Sequence, residues 1–233
     1  MPAPLLFDLD GTLVDSALGI AQALSVVMTR RGGPPIDAAT VRPLVSLGAS
    51  SLVAQCLGQH AEDAAADLLE FRTVLQGITV DPAILYPGAP AALQACEARG
   101  HPMAVVTNKP ESLARQLLAD LALTRFFPVV VGGDTLPVAK PHADPLRFAL
   151  KGLRDSGEQA IMIGDSIVDA AAAAAAAMPF LLFEGGYGVQ DLASAAAPPV
   201  AARFASFAQL PDVVAALASG ALPSAAGVAV AAG

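Results

Sequence analysis

The stretch Leu5-Leu6-Phe7-Asp8-Leu9-Asp10-Gly11-Thr12-Leu13-Val14-Asp15-Ser16 decides how this chain is read. An apolar run ends in two aspartates one residue apart, followed by Gly-Thr and a helix start. Carboxylates at the carboxyl end of a buried strand are costly unless they hold a cation or do chemistry. Residues i and i+2 of a strand share a face, so Asp8 and Asp10 converge on one bound group if the chain turns at Gly11. Two solvated acids beside a turn glycine are the plain alternative. Downstream partners decide between them.

Further apolar runs read as strands at residues 103–107, 129–131, 160–163 and 180–183, with the first at 4–7. Helical patterns at 89–99, 111–121, 142–152 and 167–177 separate most of them, and another follows at 206–218. Pro110 suits a first helical position, and Gly100 suits the left-handed residue after a helix end. Strands alternating with helices predict an α/β fold with a mostly parallel sheet covered on both faces. From Ser16 to Pro82 only helical patterns occur, at 17–31, 37–45, 49–57 and 62–77. This segment is expected to form a helical insert over the ligand-binding face, able to act as a cap. The division is therefore residues 1–15 and 83–220 as core, 16–82 as cap, and 221–233 as a loosely held tail. The alanine run 170–177 reads as a helix packed closely on the sheet.

The 233 residues suffice for a sizeable core, and 55% of them are hydrophobic. A formal net charge of −8 disfavours nucleic acid or an anionic membrane as partner, so an anionic substrate needs a locally positive site. Cys56 and Cys96 read as two buried free thiols. No basic segment precedes the first apolar run, and the longest apolar stretch, 170–183, is too short for a bilayer and contains Pro179. These features predict a cytoplasmic protein.

Four strand ends carry polar groups. Val106-Thr107-Asn108-Lys109 offers a hydroxyl and an amide to phosphate oxygens, or alternatively a helix cap. Lys140 neutralises a bound anion or is a surface lysine beside a helix start. Asp165 and Asp169, four apart, face one way across a turn; capping of the next helix needs fewer acids than two. Together these groups supply four carboxylates, a hydroxyl and a lysine. Such oxygen donors suit a hard cation, Mg²⁺, whereas His60, His101 and His142 have no zinc-ligand spacing. A metal, a lysine and hydroxyl donors around a carboxylate suit phosphoryl transfer, and no P-loop is present.

Asp8-Leu9-Asp10-Gly11-Thr12, Thr107, Lys140 and Gly164-Asp165-x-x-x-Asp169 resemble the ordered motifs of the haloacid dehalogenase superfamily over residues 4–190. Tyr86-Pro87-Gly88, Gly132-Gly133-Asp134 and residues 106–110 and 140–146 resemble its phosphoglycolate phosphatases, and Val45-Ser46-Leu47-Gly48-Ala49 resembles their cap loop. The resemblance implies a Rossmann-like doubly wound core with an inserted all-helical cap, and adjacent first and fourth strands. It implies Asp8 as nucleophile, Asp10 as acid/base, and Mg²⁺ held by Asp8, Asp165 and the backbone carbonyl of Asp10. Thr107, the Asn108 backbone and Lys140 would hold the phosphoryl oxygens, and Asp169 would orient Lys140 or water around the metal. Where relatives often carry a basic residue and a glycine, this chain has Ala174 and Ala177, a change expected to affect packing or helix termination.

Asp10 argues against a haloalkanoate dehalogenase, which has no alkoxide to protonate, and a cap without lysine argues against a phosphonatase. A small phosphorylated metabolite, 2-phosphoglycolate first, is the expected substrate. A sugar-phosphate phosphatase or phosphomutase is the runner-up, and a non-catalytic binding module has no need for both Asp8 and Asp10. The cap's cations are Arg30, Arg31, Arg42 and Arg72. Ser46, Gly48 and Arg42 are the cap's substrate-loop candidates. Arg42, just before the Val45–Ala49 loop, is the candidate for a substrate carboxylate or the closed-cap interface, with a solvated helix arginine the competing reading.

Overall fold

β1 (Leu5–Phe7) pairs in parallel with β2 (Met103–Val106) on one side and β4 (Ile161–Gly164) on the other. This arrangement comes from a computed structural model that describes residues 2–153, 160–194 and 196–220. β3 (Val129–Val131) lies outside β2, while β5 (Phe180–Phe183) and β6 (Ala202–Phe204) extend the sheet beyond β4. The order is β3-β2-β1-β4-β5-β6, and every pairing is parallel. The chain builds outward to β3, then crosses back to start β4 against β1. Its direction of winding reverses between these two strands, where open α/β sheets form their ligand crevice.

The strands are short and almost wholly apolar because helices cover both faces. Leu5 and Phe7 pack with α5 (Ala89–Ala98), α6 (Glu111–Asp120) and α9 (Leu210–Ala218). Leu6 faces the opposite layer, formed by α7 (Asp144–Gly152) and α8 (Ile167–Ala175). In α8, Ala170, Ala172 and Ala173 are buried against the sheet, as their small side chains allow. The α/β doubly wound class expected from the sequence is the one observed.

Between β1 and α5 the described residues form helices and turns: α1 (Ala17–Arg30), α2 (Ala38–Val41), α3 (Ala49–Leu57) and α4 (Ala64–Gln76). Leu24, Val27, Leu52, Val53 and Phe71 give this insert its own apolar cluster. Arg31 ties α1 to α4, with guanidinium nitrogens 2.7 Å from both Asp67 and Glu70. The two connections to the core run side by side. Val14 and Leu85 form an antiparallel bridge, Asp15 N–H donates to the Ile84 carbonyl at 2.8 Å, and Tyr86 N–H to that of Leu13 at 3.1 Å.

Several elements depart from the sequence reading. β6 was not expected: three residues with Arg203 at the centre carry too little apolar pattern. The helix expected over 37–45 stops at Val41 and continues as a 3-10 turn, Arg42–Leu47, because Pro43 supplies no N–H and crowds the preceding turn. Pro110 is the residue before α6, not its first. α8 ends at Ala175, and Ala177 takes a left-handed φ of 58°, as does Ala122 after α6 at 56°. Both cysteines are free, but only Cys96 is buried; Cys56 is half-buried. No helix among the described residues is long and apolar enough to cross a membrane. The tail expected over 221–233 lies outside the described residues.

Candidate active site

The strand ends bring Asp8, Asp10, Thr107, Lys140, Asp165 and Asp169 together as buried polar residues. Asp8 leaves the end of β1, with its N–H donating to the Ile163 carbonyl of β4 at 2.9 Å. Gly11 then turns the chain at φ 86°; a β-carbon there would stand 2.5 Å from Asp165 Oδ2. Only glycine satisfies both the backbone angle and that approach.

Lys140 Nζ sits between two acids, 2.9 Å from Asp8 Oδ1 and 2.6 Å from Asp169 Oδ1. Burial works against its charge, but Asp169 and Asp8 outweigh burial and hold its pKa above the ordinary lysine value. Asp169 has a second duty. Its Oδ2 accepts from Ser166 N–H at 3.2 Å and Ser166 Oγ at 2.7 Å, while Ser166 Oγ accepts from Asp169 N–H at 3.3 Å. This reciprocal capping box starts α8. Asp165 accepts from Thr12 Oγ1 at 3.0 Å and Tyr187 N–H at 2.7 Å.

Burial pushes Asp8 up to about 7 despite Lys140, and pushes Asp165 up to about 8 with help from Asp169 and Asp8. Carboxylate oxygens of Asp8, Asp165 and Asp169 lie within 4.8 Å of one another. Asp8 Oδ1 has no hydrogen-bond partner, because its close contact with Lys140 is poorly aligned. Three buried acids facing one lysine leave a negative excess, and their donors are all oxygen. The residues present therefore fit a hard divalent cation.

Asn108 uses its side chain structurally: its Oδ1 accepts from Lys140 N–H at 3.1 Å and its Nδ2 donates to the Lys140 carbonyl at 3.0 Å. Thr107 Oγ1 accepts from Lys109 N–H at 3.2 Å, leaving its own hydroxyl proton to donate. The cap reaches this site through its 3-10 turn, where the Ser46 carbonyl lies 3.5 Å from Asn108 Nδ2. Ser46 lines the cavity over Asp8 and Thr107, and Gly48 the one adjoining it.

Arg42 is placed elsewhere. Its guanidinium pairs with Asp15 Oδ2 at 2.9 Å and lines a separate opening beside Tyr86 and Tyr187. Of its two expected places, the geometry is that of a cap–core contact, and the cavity next to Asp10 is lined by Arg72 instead.

Two groups escaped the sequence reading. Lys109 Nζ contacts both oxygens of Asp10, at 3.1 and 3.2 Å. Tyr187 braces Asp165 through its N–H, while its hydroxyl donates to Asp15 Oδ1 at 2.7 Å and accepts from Ala17 N–H at 3.2 Å. The signals were present: a lysine closing a strand-end motif, and an aromatic in the loop Gly185-Gly186-Tyr187-Gly188 after a strand.

Residues 5–177 match the family model for haloacid dehalogenase-like hydrolases. The phosphoglycolate phosphatase of Rhodospirillum rubrum is 41% identical over 215 residues, covering 88% of this chain and 89% of that protein. The phosphoglycolate phosphatase of Rhodobacter capsulatus is 38% identical over 223 residues, covering 92% and 97%. A solved structure from Haemophilus somnus, described as a predicted phosphoglycolate phosphatase, aligns with a TM-score of 0.78 at 26% identity, covering 90% of this chain and 96% of that one. A β-phosphoglucomutase from Clostridium difficile shares the fold at a TM-score of 0.77 and 17% identity, covering 95% and 99%. The ordered strand-end acids, the sheet that gathers them and these relatives agree: the chain belongs to the haloacid dehalogenase-like hydrolase family.

Proposed function

We propose that this hydrolase removes phosphate from a small phosphorylated metabolite, 2-phosphoglycolate, with Mg²⁺ as cofactor and an aspartyl-phosphate on Asp8 as intermediate. The observation that carries the reading is the division of partners between the two strand-end acids. Asp8 faces Lys140 and the buried carboxylates, whereas Asp10 faces Lys109. One acid thus sits beside the buried lysine and the carboxylates that would hold a cation, while the other stands where a leaving group would depart.

In the first step an Asp8 oxygen attacks phosphorus, the bond to the alkoxy oxygen breaks, and Asp10 gives that oxygen its proton. In the second, water attacks phosphorus, Asp10 takes the water's proton, and inorganic phosphate leaves with Asp8 regenerated. Thr107 Oγ1, the Asn108 N–H and Lys140 would hold the phosphoryl oxygens through both displacements. Asp8, Asp165 and the Asp10 carbonyl would hold Mg²⁺, which supplies charge stabilisation when bound. Asp169 keeps Lys140 in place.

The choice of 2-phosphoglycolate is supported by the names of relatives at 38–41% identity that span most of this chain. The test is a panel of small phosphate esters with Mg²⁺, comprising 2-phosphoglycolate, sugar phosphates and nucleotides. Preferred release of phosphate from 2-phosphoglycolate, lost in Asp8→Asn, is the expected result. Isomer formation dependent on a bisphosphate, with little free phosphate, would replace this reading with a mutase.

A further inference from the structure

Three of the four cap arginines are accounted for. Arg30 pairs with Glu70 at 3.0 Å, Arg31 with Asp67 and Glu70 at 2.7 Å each, and Arg42 with Asp15 at 2.9 Å. Arg72, on α4, pairs with no carboxylate among the described residues, and its Nε is buried without a hydrogen-bond partner. A buried guanidinium donor left unmade is costly, so its presence calls for an acceptor that arrives from outside the chain.

The position of Arg72 says which acceptor. It lines a cavity of ≈ 40 Å³ between cap and core, together with Asp10, Asn108 and Lys109. That cavity shares these three core residues, and Val45, with the one over Asp8, Thr107 and Lys140. A phosphoryl group seated on Asp8 therefore points its leaving group past Asp10 into a space with Arg72 in its wall. Lys109, the other cation there, is already taken by Asp10. Leu52, Phe71 and Leu75 make the remaining surroundings apolar, which strengthens an ion pair formed inside. The planar guanidinium also matches a carboxylate's two oxygens, which a lysine would not.

We infer that Arg72 receives the carboxylate of the substrate's leaving group and so selects a phosphorylated hydroxy-acid over a neutral phosphate ester. The inference rests on the phosphoglycolate reading and names the residue that would enforce it.

The experiment measures kcat/KM for 2-phosphoglycolate and for ethyl phosphate, which carries a methyl in place of the carboxylate. Wild type, Arg72→Met and Arg72→Gln are compared, with folding checked by circular dichroism. Wild type is expected to prefer 2-phosphoglycolate. In Arg72→Met that preference should fall about 10- to 100-fold, chiefly through KM for 2-phosphoglycolate. Should the methionine variant not fold, the glutamine variant, which keeps a donor without the charge, is expected to show the same loss. A wild type without the preference overturns the substrate reading itself. A wild type with it, and a folded variant that retains it within about threefold, overturns the role of Arg72 and leaves the substrate reading standing.

Discussion

Lys109 Nζ lies 3.1 and 3.2 Å from the two carboxylate oxygens of Asp10, so the acid beside the cavity that Arg72 lines is gripped at both oxygens by one ammonium. The two side chains are only 10% and 9% exposed. Removing one member of such a pair strands the other's charge. Lys109→Met is expected to cost about 3 kcal/mol in urea unfolding and to lower kcat more than it raises KM, because Asp10 loses its orientation. An unchanged kcat in a folded variant would show that Asp10 needs no such hold.

Asp8 and Asp165, raised to about 7 and about 8, make stability fall with pH over a defined window. Between about 4, where the unfolded carboxyls titrate, and about 8 the folded chain binds more protons than the unfolded one. The slope of stability against pH is then negative. Carboxylates held low by hydrogen bonds, such as Asp37, or by ion pairs, such as Glu70, act below that window. With a chelator present, the melting temperature should decline from about pH 5 to about pH 8, and Mg²⁺ should raise it more at the upper end, where the acids ionise. A melting temperature that climbs through this range would contradict the assignment.

Ala177 and Ala122 hold left-handed φ values of 58° and 56° just beyond helix ends where glycine carries no such strain. Glycine loses more entropy on folding, which offsets part of the relief. Ala177→Gly and Ala122→Gly are each expected to stabilise the fold by about 0.5–1 kcal/mol, adding when combined. Thermal melts should show a rise of roughly 1–4 °C for each. A fall for either would mean that the alanine methyl contributes packing worth more than the backbone strain.

Arg42 and Tyr187 both hold Asp15, but with unequal weight. The Arg42–Asp15 pair is 46% and 35% exposed, so Arg42→Ala should cost less than about 1 kcal/mol and leave KM for 2-phosphoglycolate within about twofold. Tyr187→Phe removes a hydroxyl that also accepts from Ala17 N–H, and should cost about 1–2 kcal/mol. Urea titrations of both variants check the order. A large KM increase in Arg42→Ala would return that arginine to the substrate.

The strand-end acids, Thr107 and Lys140 were legible because each follows an apolar run, and alternating strands and helices place such ends on one edge of a parallel sheet. The pairing of Lys109 with Asp10 was not legible. Residues so far apart meet only through the adjacency of β1 and β2, and a lysine at a strand end has many solvated alternatives. Tyr187 was hidden likewise, since its partners Asp15 and Asp165 come from segments that the sheet alone brings together. Arg72 was one of four cap cations in the sequence, and its unpartnered buried Nε and the cavity beside it distinguish it from Arg30, which pairs with Glu70. β6 was invisible because an edge strand of three residues needs little hydrophobic pattern to pair.

Asp169 closes the first turn of α8 and, with its other oxygen, grips Lys140. Opening that turn therefore frees the lysine from one of its two acids and leaves it Asp8 alone. A transient fraying at the start of α8, of the kind amide hydrogen exchange detects, would loosen the hold on the lysine while the rest of the sheet stays folded. The exchange protection of the Asp169 amide should then rise when an inhibitor engages Lys140, so a backbone proton on a helix reports the occupancy of a side-chain site.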